Sequence, residues 1–139
     1  MATTSTATTP TLALKAGNPL TAAADALVVA ATSGTTVTVH APGAPAAVVR
    51  KIARALSALG GTGAADELVR IPGAGIAAAD VVAVVGLGPQ AGLSPERLRR
   101  AAGSATRGLA GSKRVALALP TSSDADLAAV LEGAAMGAY

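Results

Sequence analysis

The ten residues from Asp80 to Pro89, DVVAVVGLGP, decide the fold. Val81–Val85 is an unbroken apolar run, the pattern of a strand that is covered on both faces. In the following segment, Gly86–Pro89, the glycines permit backbone angles closed to other residues and the proline donates no ladder hydrogen bond. We therefore expect a sharp turn directly after the strand. Ser94 and Pro95 are suited to the N-cap and first position of a helix, so the stretch predicts one α/β unit around the central strand of a sheet.

The composition fits a single small domain with an aliphatic core. The 139 residues include one tyrosine, no phenylalanine, no tryptophan and no cysteine, so alanine, valine and leucine must fill the interior. The lack of cysteine excludes disulfides and thiolate metal sites and fits a cytoplasmic location. The formal net charge of +3 is a weak indication of nucleic-acid binding. The longest uncharged stretch, Ala26–Val49, contains too many polar residues to span a membrane.

The hydrophobic pattern divides the chain into alternating elements. Met1–Pro10 has neither the charged start nor the apolar segment of a signal peptide, and we predict a disordered tail there and one domain over residues 11–139. Further strands are expected at Thr11–Lys15, Ala26–Ala31, Thr35–Ala41, Asp66–Ile71 and Val115–Leu119. Helices are expected at Pro45–Leu59, from Pro95 to about Ala110, and after Ser123. This order predicts an α/β fold with a mixed or mostly parallel sheet between helical layers.

A glycine-containing segment and the single histidine are candidate sites. Gly86-Leu87-Gly88 lies between a strand and a helix, as phosphate loops do, but the spacing to Gly92 differs from the nucleotide-binding fingerprint, and the helix begins several residues late. We interpret it as a structural turn. His40 is the only histidine, so any triad or imidazole metal site would have to use it. Its place on an alternating strand favours a half-exposed structural residue instead.

Two charged groups have equally simple explanations. Asp124 and Asp126 resemble a carboxylate pair, but they occupy the first turn of a helix, where the macrodipole favours acidic residues. The basic cluster on the second helix has no aromatic neighbours for base stacking, which favours a solvated face or a contact with another domain or subunit. Its members are Arg97, Arg99, Arg100 and Arg107. The sequence therefore predicts no catalytic, cofactor-binding or metal-binding residue in this chain.

The order of several segments carries a resemblance to a known family. These segments are ADALVVAAT, ALSALGGTGAADELVRI, ADVVAVVGLG, SPERLRRAAGSATRGLAGSKRVALALP and EGAAMGAY. Together, over roughly Leu12 to Tyr139, they resemble the N-terminal domain of the cytosol (leucyl) aminopeptidases, peptidase family M17. The ending E-G-x-x-x-G-x-Y corresponds to Glu132, Gly133, Gly137 and Tyr139. Because the last helix meets no stop signal, we expect the sequence to be an excised part of a longer protein.

The resemblance implies a macro-domain-like, three-layer α/β/α sandwich that precedes a separate catalytic domain. That catalytic domain holds two divalent metal ions, manganese or zinc, and releases N-terminal amino acids, with leucine preferred, from peptides. Its motifs, such as N-T-D-A-E-G-R, do not occur in this sequence, so no catalytic or metal residue is carried over. The resemblance further implies a cytoplasmic homo-hexamer, in which this domain serves structure and assembly and contacts its own C-terminal catalytic domain.

Two other functions remain open on the sequence alone. A free-standing macro-like module would bind a nucleotide or an ADP-ribose derivative, and it would need Gly73–Gly75 and Gly86–Gly92 to form one anion pocket. A nucleic-acid-binding protein would use the arginine-rich helix, and its affinity would fall steeply with salt.

Overall fold

A computed structural model describes residues 11–13 and 17–138, and in it a five-stranded mixed sheet lies between two helical layers. The strands are β1 (Ala26–Ser33), β2 (Thr38–His40), β3 (Leu68–Pro72), β4 (Val81–Pro89) and β5 (Val115–Leu117). The helices are α1 (Ala46–Ala58), α2 (Pro95–Gly108) and α3 (Asp124–Gly137), and a short 3-10 helix, Pro19–Thr21, precedes β1. The predicted three-layer α/β/α architecture is confirmed. None of the helices described is long and apolar enough to cross a membrane.

Strands β1 and β4 form the centre of the sheet and run parallel to each other. Two short strands pair with the edge of β1 that faces away from β4. Strand β5 pairs in parallel with Ala26–Val28, and β2 pairs antiparallel with Ala30–Thr32. Strand β3 pairs antiparallel with the outer edge of β4. Since β1, β4 and β5 point the same way, their carboxyl ends meet at one edge of the sheet.

The two central strands separate two apolar cores, because successive side chains point to opposite faces. Ala26, Val28 and Ala30 of β1 face α2 and α3, as do Ala83, Val85 and Leu87 of β4. Leu27, Val29 and Ala31 of β1 face α1, as do Val82 and Val84 of β4. The apolar run Val81–Val85 thus belongs to a central strand covered on both faces, as predicted.

The predicted turn after Val85 is wrong, because β4 continues through the glycines to Pro89. Gly86 pairs with Ala31, Gly88 pairs with Thr32, and a bulge in the register falls between the two pairs. A neighbouring backbone explains the glycine at position 86: a Cβ there would overlap the carbonyl group of Ala64. The glycines that predicted a turn therefore lie in a strand whose backbone is approached closely by another segment of the chain.

Several other boundaries differ from the predictions. The strand expected from Asp66 begins at Leu68, since Asp66 adopts a left-handed φ of 66°. Strands β2 and β5 are shorter than expected. Helix α1 ends at Ala58, and Leu59, which helical spacing predicts to lie on the inward apolar stripe of that helix, is 59% exposed. Residues 11–13 form no strand, and the remainder of that predicted strand lies outside the described residues, as do the predicted tail and Tyr139.

The starts of α2 and α3 confirm the predicted caps. The hydroxyl oxygen of Ser94 accepts from the Arg97 N–H, and that of Ser123 accepts from the Asp126 N–H. The carboxylate of Asp126 in turn accepts from the N–H and the hydroxyl of Ser122, at 3.0 Å each, rather than from the N-cap residue itself. Asp126 is thus part of a helix cap, as predicted, whereas Asp124 lies exposed in the first turn of α3.

The backbones of helices α2 and α3 pack very close to each other. A Cβ at Gly133 would overlap the carbonyl oxygen of Arg99, and one at Gly137 would overlap Thr106 and the Gly103 carbonyl. The two glycines of the family ending E-G-x-x-x-G therefore let the helix backbones approach each other. This contact also explains why α2 tolerates Gly103, which by itself weakens a helix by about 1 kcal/mol relative to alanine.

Candidate functional site

The edge where β1, β4 and β5 end is the place where a ligand site is expected in an α/β sheet. Helices α2 and α3 also begin there, with Ser94 and Ser123 as their N-caps. Between the two helix starts lies an open groove of about 570 Å³. Its walls are Pro42, Leu93, Ser94, Pro95, Leu98, Leu119, Pro120, Thr121, Ser122, Ser123 and Asp126.

A loop of this chain, Gly60–Glu67, covers the carboxyl ends of β1 and β4; we call it the capping loop. The Gly88 N–H donates to the Gly63 carbonyl at 2.9 Å, and the Gly86 N–H donates to the Glu67 carbonyl at 2.7 Å. A Cβ at Gly63 would lie 2.7 Å from the backbone of Thr32. The backbone donors that a phosphate would need at Gly86 and Gly88 are therefore already bonded to this loop.

The carboxylate of Glu67 folds the capping loop back on itself. It accepts from the N–H groups of Thr62 (2.8 Å) and Gly63 (3.0 Å) and from the Thr62 hydroxyl (3.0 Å). Burial, the largest single influence, raises the pKa of Glu67, but the three hydrogen bonds together outweigh it and hold the pKa below its ordinary value. Glu67 is thus an ionised structural group at neutral pH.

The neighbouring Asp66 attaches the capping loop to α2. Its two carboxylate oxygens accept from Arg100 Nη2 at 2.9 Å and from Ser104 Oγ at 3.0 Å. Its N–H donates to the Gly86 carbonyl at 3.1 Å. These bonds hold Asp66 in the left-handed conformation, which aspartate adopts more readily than most residues.

The two glycine loops that a nucleotide module would need do not meet. Gly73–Gly75 belongs to the turn between β3 and β4, where the Gly73 N–H donates to the Asp80 carbonyl at 2.8 Å. Gly86 and Gly88 lie at the other end of β4, and the guanidinium of Arg97 lies beside Gly88 and donates to the Pro89 carbonyl at 2.6 Å. The condition set for an ADP-ribose pocket is therefore not met.

His40 lies half-buried on β2, as predicted, and takes part in a short polar chain. The residue Thr32 is only 2% exposed, and its hydroxyl is 3.0 Å from His40 Nε2 and donates to Gln90 Oε1 at 3.1 Å. These polar contacts join β2, β1 and the segment after β4.

The arginines of α2 make contacts within the domain. Arg99 donates to Glu132 of α3 at 2.9 Å and also to Glu96, and these carboxylates raise the pKa of Arg99, with the hydrogen bond to Glu132 the largest cause. Arg100 pairs with Asp66 at 2.9 Å. Arg97, Arg99 and Arg100 therefore connect α2 to β4, α3 and the capping loop, while Arg107 is exposed on the outer face.

Asp25, at the opposite end of the sheet, connects β1 to the segment before β5. Its carboxylate accepts from the N–H groups of Lys113 (2.7 Å) and Arg114 (3.1 Å). The bond from Arg114, followed by that from Lys113, lowers the pKa of Asp25. Among the residues that the structure describes, no three His, Asp or Glu side chains are grouped so that they could hold a metal ion.

Sequence reasoning missed the residues that close this edge of the sheet. Thr32, Asp66 and Glu67 are polar residues at element boundaries, and their local pattern carries no signal of their distant partners. Only the glycine at position 86 gave a sign, since a glycine within a strand pattern indicates close approach of another backbone.

Comparison of the sequence with known proteins identifies related proteins. The family model that describes the N-terminal domain of the cytosol aminopeptidase family matches residues 28–139. A probable cytosol aminopeptidase of Streptomyces griseus is 47% identical over 135 residues, which cover 92% of this chain and 26% of that protein. One of Clavibacter michiganensis is 46% identical, over 95% of this chain and 25% of its own length.

A solved structure supports the fold. The bottromycin maturation enzyme BotP superposes with a TM-score of 0.60 at 24% sequence identity, over 84% of this chain and 24% of its own. The chain thus spans about a quarter of the length of the relatives it matches. With residues 28–139 matched by the family model, the chain belongs to the cytosol aminopeptidase family and comprises its N-terminal domain.

Proposed function

We propose that this chain is the non-catalytic N-terminal domain of a leucyl aminopeptidase and that it serves structure and assembly. The full-length protein would be a cytoplasmic homo-hexamer that releases N-terminal amino acids, with leucine preferred, from peptides. Its two divalent ions, manganese or zinc, would be held by a separate catalytic domain. The residues described here do not fit such ions, because they group no three carboxylate or imidazole ligands.

One observation carries this proposal: the acidic side chains already have structural partners. Six of the eight acidic residues bond to backbone N–H groups, to hydroxyls or to arginines of the same domain. They are Asp25, Asp66, Glu67, Glu96, Asp126 and Glu132. A two-metal peptidase site needs several carboxylates that are free to converge on the ions, and here they hold loops and helices together.

The capping loop provides a second argument. It fills the carboxyl edge of β1 and β4, where an α/β domain of this kind would bind a ligand. The loop is held there from two sides, by main-chain bonds to Gly86 and Gly88 and by the side-chain bonds of Asp66 to α2. A domain built in this way is better suited to support a neighbouring domain than to bind a small molecule.

Two assays test whether catalysis depends on the separate catalytic domain. The 139-residue chain should give no turnover of leucine p-nitroanilide with either Mn²⁺ or Zn²⁺. A chimaera in which this chain replaces the matched quarter of the Streptomyces griseus relative should hydrolyse the same substrate. Metal-dependent turnover by the isolated chain would refute the proposal, as would an inactive chimaera that is folded and hexameric.

A further inference from the structure

The positive charges of three arginines on α2 are balanced to different degrees. Arg99 is bonded to two carboxylates, and Arg100 is paired with the carboxylate of Asp66. The ion pairs found among the described residues include none with Arg97, although this residue is half-buried. Partly buried charges are normally paired, because the loss of solvent penalises an isolated charge. Arg97 is therefore a cation for which the described part of the chain supplies no counter-ion.

The guanidinium group of Arg97 lies close to the capping loop. Its Nη1 donates to the Pro89 carbonyl at 2.6 Å, and no further hydrogen bond from this guanidinium is found among the described residues. A Cβ added at Gly88 would lie 3.5 Å from Arg97 Nη1 and 3.6 Å from the Cβ of Ala65. Since Ala65 directly precedes Asp66, the guanidinium group lies close to the acidic part of the capping loop and still has N–H groups to donate.

Asp66 binds two polar side chains that share a face of α2 with Arg97. Arg100 and Ser104 follow in the same helix at a spacing that places all three side chains on one side; we call these three residues the arginine row. Arg100 Nη2 and Ser104 Oγ donate to the carboxylate oxygens of Asp66 at 2.9 and 3.0 Å. The side chains of Arg100 and Asp66 are 64% and 39% exposed, and exposed ion pairs contribute little to stability. An anion from solution therefore has access to these donors and displaces a weakly held carboxylate.

The charge of the arginine row determines which anion it fits. A carboxylate that belongs to the chain acts at a high effective concentration, so a free monoanion such as acetate competes poorly with Asp66. A doubly charged oxyanion gains more from two guanidinium groups, because each presents planar N–H donors that suit phosphate oxygens. The arginine row therefore fits a phosphate dianion, either as inorganic phosphate or as the phosphoryl group of a larger molecule.

We propose that Arg97, Arg100 and Ser104 form a phosphate-binding site in which the carboxylate of Asp66 is an internal competitor. This inference goes beyond the proposed function and does not depend on it. Binding supplies the counter-ion of Arg97 and replaces the two bonds of Asp66 to α2, so that the Asp66 side chain turns to solvent. The capping loop stays in place, because its main-chain bonds to β4 are not involved.

The test titrates inorganic phosphate into the 139-residue chain at about pH 7.5 and constant ionic strength, and NMR follows the arginine Nε–H signals. The signals of Arg97 and Arg100 should shift saturably, and acetate should leave them unchanged. Asp66→Asn removes the competing charge and keeps a residue that adopts the left-handed conformation, so the Kd for phosphate should fall at least about fivefold. Arg97→Gln should raise the Kd at least about fivefold. Arg54→Gln, which removes the same charge from the exposed face of α1, is the matched control and should change the Kd less than about twofold.

A parallel titration with glycerol 2-phosphate distinguishes the two sources of the anion. Equal or tighter binding of this ester assigns the site to a phosphorylated molecule, and binding of inorganic phosphate alone assigns it to the free ion. An unchanged Kd in Asp66→Asn would overturn the proposal, and a misfolded Arg97→Gln variant does not weaken this test, since loss of folding cannot tighten binding. An equal effect of Arg54→Gln and Arg97→Gln would overturn it too, as would the lack of a saturable shift below about 50 mM phosphate.

Discussion

Helix α1 covers its face of the sheet with large branched side chains, whereas α2 and α3 meet each other through glycine and alanine. The buried residues of α1 are Ile52 and Leu56, both at most 1% exposed. At the α2–α3 contact, Gly133 lies against the Arg99 carbonyl and Gly137 against Gly103. A chain without phenylalanine or tryptophan thus builds one layer from side-chain bulk and the other from close backbone approach.

The difference determines which changes each layer tolerates. Close packing of small residues gains dispersion energy from many short contacts, and it leaves no room for an added atom. A layer built from large side chains has the opposite sensitivity, since removal of atoms leaves a cavity. We therefore expect added volume to disrupt α2 and α3 and lost volume to disrupt α1.

The largest effect is expected for Gly133→Val. Its Cβ would overlap the Arg99 carbonyl, and because the obstacle is backbone, the helices must separate. Overpacking usually costs about 1–3 kcal/mol, and we expect more than about 4 kcal/mol here. Gly103→Ala is the matched control: its Cβ would lie 3.3 Å from the Gly133 carbonyl, and gained helix propensity offsets the tight contact. Urea unfolding of both variants measures the difference, and equal free energies of unfolding would contradict this account of the contact.

A smaller but substantial effect is expected for Leu56→Ala in α1. The buried side chain leaves a cavity, and the free energy of unfolding should fall by about 2–4 kcal/mol. Leu59→Ala, three residues away and exposed, should change it by less than about 0.5 kcal/mol. Thermal unfolding followed by circular dichroism compares the two variants. A similar loss for both would show that Leu59 is also part of the packed stripe, as the sequence pattern predicted.

The capping loop joins α1 to β3, and the effect of acid on its stability should be smaller than the effects of the Gly133 and Leu56 substitutions. The pKa of Glu67 is lower in the folded protein than its ordinary value of 4.5. Stability from this carboxylate is therefore complete above pH 4.5 and is lost as the pH falls towards the folded pKa. Glu67→Gln should be less stable than the parent at pH 7, and the difference should shrink as the pH decreases to 3.

The pH experiment has a built-in comparison at the other end of the sheet. Asp25 also has a lowered pKa, through its bonds to Arg114 and Lys113, so Asp25→Asn should show a pH dependence of the same sign. Free energies of unfolding from denaturant titrations between pH 3 and pH 7 test both. A difference from the parent that grows towards low pH would contradict the assigned role of either carboxylate.

The sequence predicted the layers well because periodicity and capping are local signals. The apolar runs at Ala26–Ala31 and Val81–Val85 identified the two central strands, and Ser94 and Ser123 identified the starts of α2 and α3. The resemblance to the aminopeptidase family, carried by ordered segments, was confirmed by the family match over residues 28–139.

The covering of the ends of β1 and β4 by the capping loop was not predicted, because it depends on contacts between residues far apart in the chain. Gly86 has the local pattern of a turn, and only the carbonyl of Ala64 shows why a glycine lies within a strand. Asp66 and Glu67 were predicted to begin a strand, but the strand begins at Leu68, and their bonds to Arg100 and Thr62 hold them in a loop. In the same way, Gly133 is only part of the family ending in the sequence analysis, and the Arg99 carbonyl shows its packing role in the fold.

The central claim is that the carboxylates of this domain hold the fold together and leave the metal chemistry to another segment. Calorimetric titration of Mn²⁺ into the 139-residue chain at pH 7.5 tests it most directly. We predict no saturable binding at metal concentrations below about a millimolar, because six of the eight acidic groups are bonded to partners in the domain. Saturable binding of two ions per chain at micromolar concentration would contradict the claim.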